Sequence, residues 1–122
     1  MRILLVDDAE DIRRIAHLSL EGLGRFPTAL AASAAEALAM AASDPPDLIV
    51  MDVLMPDMDG PTALAALRRD PALRAIPVVF MTARAQPADE ARYLALGAIG
   101  VIRKPFDPMT LPGELQRLVG PR

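Results

Sequence analysis

Four short apolar runs constrain the fold of this chain most strongly, because each of them leads into a polar or charged residue. The runs span residues 3–6, 47–52, 77–82 and 99–104. Near-continuous apolar strands are typical of a parallel sheet that is covered by helices on both faces. A weaker run at 28–31 follows Pro27. Since proline is tolerated at the start of an edge strand, we expect this fifth strand to lie at the edge of the sheet.

Alanine-rich amphipathic stretches separate the runs and carry helix start and stop patterns. The first predicted helix stops at Gly24 and has apolar residues at helical spacing: Ile12, Ile15, Ala16, Leu20 and Leu23. Ser33 and Glu36 form a capping box that opens a second helix. A third opens at Asp59-Gly60-Pro61, where the proline suits the first helical turn.

The last two helices have weaker patterns. The fourth is predicted to have a small-residue face before Gly97, made of Ala88, Ala91, Leu94 and Ala95. The fifth carries apolar residues at Leu111, Leu115, Leu118 and Val119. Because Pro112 and Gly113 occupy its first turns, we expect it to begin late or to fray. Five strand–helix pairs predict an α/β fold with a doubly wound parallel sheet, formed by one domain over residues 1–122.

Composition excludes several classes of protein. The net charge of −3 and the 3% aromatic content argue against a basic nucleic-acid footprint and against a stacking platform for single strands. Cysteine is absent, which excludes a disulfide scaffold and a cysteine-ligated metal site. The first apolar run ends at Asp7 after four residues, so it is too short for a signal peptide, and no run could span a membrane. We therefore expect a cytoplasmic protein.

The residues that follow the apolar runs predict one functional site. They are Asp7, Asp8, Asp52, Thr82 and Lys104. In open α/β sheets, ligands bind outside the carboxyl ends of the strands, so these side chains should meet at one edge. Three carboxylates at one place repel each other, and a divalent cation together with the lysine ammonium would relieve that repulsion. An all-oxygen set of ligands suits Mg²⁺. The single histidine, His17, is predicted to lie in a helix far from this edge and to bind no metal.

These motifs together resemble the receiver domain of two-component response regulators, over the whole length of the chain. The resemblance is carried by the acids and by the Met55–Gly60 loop, which is similar to the Met-Pro-x-Met-x-Gly loop of the family. It is also carried by Thr82-Ala83, Gly97-Ala98 and Lys104-Pro105-Phe106. It implies a flavodoxin-like sheet with strand order 2-1-3-4-5 and five helices, similar to the single-domain chemotaxis regulators. In that case 122 residues leave no room for an attached output domain.

The resemblance also implies a role for each site residue. Asp52 would accept a phosphoryl group from a sensor histidine kinase or a phosphotransfer protein. Asp8, Asp52 and the backbone carbonyl of Leu54 would bind Mg²⁺, with Asp7 acting indirectly through water. Lys104, the Thr82 hydroxyl and the Ala83 backbone N–H would contact the phosphoryl oxygens.

Plainer interpretations of the same residues stay open. Lys104 could be an ordinary surface lysine and Pro105 could follow a trans bond, although the resemblance implies a cis one. Asp7 could instead cap the first helix, near Glu10 and Asp11.

The chain departs from the family pattern in two ways, one at Val101 and one at Leu54 and Arg84. Val101 stands where the family usually has an aromatic residue that moves during switching. A stiff, small side chain cannot make that movement. Leu54 and Arg84 border the expected path of the hydrolytic water; the first cannot orient water and the second could reach the phosphoryl oxygens. We hypothesise a long-lived phosphorylated form, and an unchanged dephosphorylation rate in Arg84→Ala would argue against it.

Rival functions are weaker. A calcium-binding EF-hand would need an acid where the chain has Met55 and a Glu where it has Ala66. A dinucleotide site would need its glycine motif directly after a strand, whereas Gly22-Leu23-Gly24 follows a helix. A metal-dependent aspartyl-phosphate phosphatase would need a second acid at Leu54. A phosphorylation-independent binding module would not need the full set of acids.

The expected partners are the phosphodonor protein and a downstream output protein, with no direct nucleic-acid or membrane contact. The chain is expected to be a monomer or a weak dimer. The expected output face lies around the last two helices and the fifth strand, and it carries the charged residues Glu90, Arg92, Arg103, Glu114 and Arg117.

Overall fold

A computed structural model describes residues 1–120 of the chain. Its five strands are β1 (Ile3–Val6), β2 (Thr28–Ala31), β3 (Leu48–Asp52), β4 (Val78–Thr82) and β5 (Gly100–Arg103). Its five α-helices are α1 (Glu10–His17), α2 (Ala34–Ser43), α3 (Gly60–Arg69), α4 (Pro87–Ala95) and α5 (Leu111–Val119). The predicted span of 1–122 ends with two residues, 121 and 122, that lie outside the described part.

The strands form one parallel sheet in the order β2-β1-β3-β4-β5. This confirms the predicted α/β class, the predicted strand order and the edge position of the strand that follows Pro27. The observed strands are one residue shorter at some ends than the apolar runs, for example at Pro77, which precedes β4.

Alternate residues of each strand point to opposite faces of the sheet. Both faces are buried because helices cover each of them. Leu4 and Val6 pack with α2 and α3 on one face, in a core that also includes Phe80. Ile3 and Leu5 pack with α1 and α5 on the other face. This double coverage explains why the strands are apolar runs rather than alternating patterns.

The first helix differs from its prediction. After His17 the chain continues as a π-helical segment over Leu18–Leu23, in which the Gly24 N–H bonds the Ser19 carbonyl five residues back. This wider turn changes which residues face inward. Within it Leu20 is buried, whereas Leu23 is 54% exposed. In the preceding α1, Ala16 is buried and Ile15 is 42% exposed.

The predicted small-residue face of α4 is wrong. Its four residues, Ala88, Ala91, Leu94 and Ala95, are exposed. The buried contact comes instead from Tyr93, whose ring packs edge-on against Phe80 with 5.4 Å between ring centroids. One large ring fills the space between α4 and the sheet, so the small residues are free to face outward.

The expectation that α5 begins late or frays is also wrong. The helix begins at Leu111, and Pro112 lies buried in its first turn. A first-turn residue has no helical acceptor for its N–H, so proline costs nothing there. Pro112 also packs on Gly24, where an added Cβ would lie only 2.8 Å from the proline Cβ.

Candidate functional site

The predicted acids meet at the carboxyl edge of the sheet. Asp7 and Asp8 follow β1, and Asp52 ends the adjacent strand β3. Carboxylate oxygens of all three residues lie within 4.8 Å of one another. Asp7 is fully buried, Asp52 is 8% exposed and Asp8 is exposed. The cluster therefore has a buried base and one side open to solvent.

Lys104 reaches into this cluster from the residue after β5. Its Nζ lies 2.5 Å from Asp7 Oδ2 and 3.1 Å from Asp52 Oδ2. Strand β4 holds Lys104 in place, because the Lys104 N–H bonds the carbonyl of Thr82, the last residue of that strand, at 2.9 Å. The peptide bond between Lys104 and Pro105 is cis, as the resemblance implies. Because its ammonium bonds two carboxylates, the interpretation of Lys104 as an ordinary surface lysine is wrong.

The electrostatics of the pair follow from burial and from mutual attraction. Burial raises the pKa of Asp52, and the nearby Asp7 charge adds to that effect, while the hydrogen bond and charge of Lys104 oppose it. Burial alone would lower the pKa of Lys104, but its hydrogen bonds to Asp7 and Asp52 and their charges outweigh this and raise it. Lys104 is thus held as a cation between two carboxylates.

Thr82 ends β4 beside the acids and is 3% exposed. Its hydroxyl accepts a hydrogen bond from the Arg84 N–H at 3.0 Å, which bends the chain sharply after the strand. Ala83 and Arg84 are exposed and line a polar cavity of about 420 Å³ with Arg103. Arg103 on β5 donates to the Ala85 carbonyl across that cavity at 3.2 Å.

The residues of the β3–α3 loop differ in exposure. The Leu54 N–H lies 3.4 Å from Asp52 Oδ1, and its side chain is 68% exposed. Met55 and Met58 pack against the core beneath the loop. Val101, at the position that is usually aromatic in the family, is half-buried and packs against the same core.

Asp7 does not act as the N-terminal cap of α1, which was one interpretation of the sequence. One of its oxygens accepts from Ala9 N–H at 2.9 Å, before the helix begins, and the other faces Lys104. His17 lies on α1 beside Glu21 and away from the acid cluster.

Sequence reasoning missed two residues that support the site. The Arg13 guanidinium donates to the Asp7 backbone carbonyl at 2.7 Å, which orients the turn after β1. The Asp57 carboxylate accepts from the backbone of α2. The sequence offers only a weak pattern for the first, a basic residue six positions after the acid, and none for the second.

Comparison with known proteins identifies the family. The model of the response regulator receiver domain matches residues 3–116. The chain belongs to the response regulator receiver family. Its fold and its acid cluster at the carboxyl edge of the sheet agree with that membership. Within the described residues 1–120, no helix is long and apolar enough to cross a membrane.

Relatives of this receiver domain include full-length regulators and solved structures. Response regulator Rre1 of Synechocystis sp. is 37% identical over 96% of this chain and 51% of its own length. Response regulator PleD of Caulobacter vibrioides is 40% identical over 96% of this chain and 26% of its own length. The chain thus spans about half of the first of these curated relatives and about a quarter of the second. The structure of the chemotaxis response regulator CheY4 of Vibrio cholerae superposes with a TM-score of 0.88 at 35% identity, covering 96% of this chain and 97% of that one.

Proposed function

We propose that Asp52 is the phosphoacceptor of this receiver domain and that its phosphodonor is a phosphohistidine on a sensor histidine kinase or a phosphotransfer protein. The observation that carries the proposal is the environment of Asp52. It is a mostly buried carboxylate at a strand end, 3.1 Å from a lysine ammonium and clustered with two further acids. An anionic phosphoryl group can approach such a carboxylate only where cations neutralise the charge.

In the proposed reaction, an Asp52 oxygen attacks phosphorus in line with the phosphohistidine nitrogen. The new P–O bond forms as the P–N bond breaks, the histidine nitrogen keeps the electron pair and takes up a proton, and Asp52 becomes an acyl phosphate. Lys104 exchanges one carboxylate contact for a phosphoryl oxygen. The Thr82 hydroxyl and the Ala83 N–H donate to the other phosphoryl oxygens.

The three acids fit a divalent ion, since their oxygens lie within 4.8 Å of one another and hard oxygen donors suit Mg²⁺. Asp8, Asp52 and the Leu54 carbonyl would hold the ion, with Asp7 acting through water. When bound, Mg²⁺ supplies positive charge that offsets the negative charge of the transferring group. The chain itself supplies the nucleophile, the ammonium and the two hydrogen-bond donors.

Phosphorylation at this site would alter the binding of a downstream output partner. We place that interaction on the face formed by α4, β5 and α5, where Glu90, Arg92, Arg103 and Arg117 are exposed. The chain would carry out at most self-phosphorylation from small donors and slow loss of the phosphoryl group.

The test is incubation with Mg²⁺ and a small phosphodonor such as acetyl phosphate, followed by intact-mass measurement. We expect a gain of one phosphoryl group that is lost in Asp52→Asn. Asp47→Asn is the matched control, because Asp47 precedes the same strand and bonds the Arg2 N–H at the opposite end of the sheet. Continuous phosphate release at high turnover would favour the phosphatase alternative. A chain that takes up no phosphoryl group under any condition would favour a binding module.

A further inference from the structure

The loop between β3 and α3 starts at the proposed phosphoacceptor and returns to it. The Gly60 N–H bonds the Val53 carbonyl at 2.7 Å, which closes the base of the loop. Gly60 has no side chain, and an added Cβ would lie 3.0 Å from the Asp52 carbonyl oxygen and 2.9 Å from the Phe80 ring. The position of this loop is therefore linked directly to the backbone of Asp52.

The far side of the loop is attached to a different helix. Asp57 Oδ2 accepts from the Ala35 N–H at 2.9 Å, and its Oδ1 accepts from the Ala34 N–H at 3.3 Å. These N–H groups belong to the first turn of α2, where helices have no backbone acceptors of their own. The Ala35 N–H foremost, helped by the Ala34 N–H, lowers the pKa of Asp57, which agrees with a carboxylate that is charged and engaged.

Helix α2 already has a cap from its own sequence. Ser33 Oγ accepts from the Glu36 N–H at 3.1 Å. The local cap and Asp57 therefore share the N–H groups of one helical turn, but only Asp57 comes from the loop that follows Asp52. The apolar anchors of that loop, Met55 and Met58, pack on the core with flexible side chains that tolerate small shifts.

We propose that Asp57 is a positioning residue for the phosphoacceptor site. By fastening the loop to α2, it fixes the segment that carries the Leu54 carbonyl, one of the proposed Mg²⁺ ligands. The inference rests on the proposed function. Asp57 itself touches neither the phosphoryl group nor the ion. Outer residues that orient metal ligands typically change metal affinity by about 10-fold or more when they are removed.

The experiment compares Asp57→Ala with Ser33→Ala, a matched control that removes an acceptor from the same helical turn and leaves the loop attached. Mg²⁺ affinity is measured by titration calorimetry on unphosphorylated protein, alongside the thermal midpoint. We expect both variants to lower the midpoint. Only Asp57→Ala is expected to weaken Mg²⁺ binding, by about 10-fold. Asp57→Asn, which keeps one acceptor oxygen, should recover part of the affinity.

Phosphorylation by acetyl phosphate at saturating Mg²⁺ provides a second measurement. If Asp57 only positions the loop, the Asp57→Ala protein should bind Mg²⁺ less well. It should still be phosphorylated at a near-normal rate once Mg²⁺ is saturating. Equal Mg²⁺ affinity in wild type and Asp57→Ala would overturn the positioning role, as would equal losses in Asp57→Ala and Ser33→Ala. A wild-type protein that takes up no phosphoryl group would overturn the proposed function instead, whatever the variants do.

Discussion

Lys104 and Arg68 are partly buried cations at opposite edges of the same sheet, and their partners differ in charge. Lys104 bonds two carboxylates at the carboxyl edge. The Arg68 guanidinium donates to the carbonyls of Arg74, Ile76 and Gly97 at the amino edge, at distances of 2.9 to 3.3 Å. The charged partners raise the pKa of Lys104 against the effect of burial, whereas burial lowers the pKa of Arg68.

This difference separates a reactive edge from a structural one. The carbonyls bonded by Arg68 are neutral, so they need a hydrogen-bond donor but no opposite charge. Arg68 therefore has a structural role and connects the end of α3 to the segments that precede β4 and β5. At the carboxyl edge, three carboxylates face one ammonium, which leaves a formal excess of two negative charges. That excess favours binding of a cation.

Removing the cation at the reactive edge should have the largest effect. We expect Lys104→Met to lower the rate of phosphorylation by acetyl phosphate by about 100-fold or more, because a positioned charge at a transferring group is lost. The fold should survive, since a buried carboxylate left without its cation takes up a proton rather than staying charged. Intact-mass time courses and circular dichroism measure the two effects.

The matched control is Arg103→Met, at the last residue of β5 and directly before Lys104. Arg103 is exposed, and among the described residues its guanidinium bonds only the Ala85 carbonyl. Its loss should leave the phosphorylation rate within a few-fold of wild type. Similar rates for Lys104→Met and wild type would mean that the ammonium is not part of the chemistry.

Removing the cation at the structural edge should lower stability and leave the phosphorylation rate nearly unchanged. We expect Arg68→Met to lower the free energy of unfolding by about 2 kcal/mol, because three carbonyls, of which that of Ile76 is partly buried, lose a charged donor. The phosphorylation rate should stay near that of wild type. Denaturant titration measures the first quantity, and Arg69→Met, an exposed neighbour on α3, is the control. A stable Arg68→Met protein with impaired phosphorylation would reverse the assignment of the two edges.

Much of the reactive edge could be predicted from the sequence because its chemistry is local to strand ends. Asp7, Asp52, Thr82 and Lys104 each follow or end an apolar run, and parallel strands bring such residues to one edge. The strand order came from the resemblance, and Pro27 alone indicated which strand lies at the edge. The meeting of the acids at one edge therefore followed from patterns a few residues long, whereas the order of the strands did not.

The structural edge could not be predicted in the same way. Arg68 bonds carbonyls 6, 8 and 29 residues further along the chain, and no local pattern indicates such partners. Asp57 likewise bonds N–H groups 22 and 23 residues away. The outward rotation of Leu23 depends on the π-helical segment, and the helix face around Tyr93 depends on the space that the sheet leaves. Each of these features is set by packing rather than by periodicity.

Asp57 sharpens the comparison further, because it is a charged group at the reactive edge with neutral partners, as Arg68 is at the other edge. Hydrogen bonds from Ala35 and Ala34 lower its pKa below the ordinary value of 3.8. A carboxyl group with a lowered folded-state pKa stabilises the protein above its unfolded-state value, and this contribution disappears as the pH falls through the folded-state value. The charge of Asp57 should therefore stabilise the protein fully above about pH 4 and progressively less below it.

The measurement is the difference in free energy of unfolding between wild type and Asp57→Asn, from denaturant titrations between about pH 3 and pH 7. We expect the smallest effect of the three here, because the carboxylate is exposed: a modest difference that is constant near neutral pH and shrinks below pH 3.8. Asp59→Asn is the comparison, since hydrogen bonds from the Thr62 side chain and from the Thr62 N–H lower the pKa of Asp59 as well. Both variants should show this pH profile, while only the change at Asp57 should also weaken Mg²⁺ binding. If the stability of wild type relative to Asp57→Asn instead grew as the pH fell, the charge of Asp57 would oppose folding. Asp57 would then not resemble Arg68 as a charged residue that stabilises the protein through neutral partners.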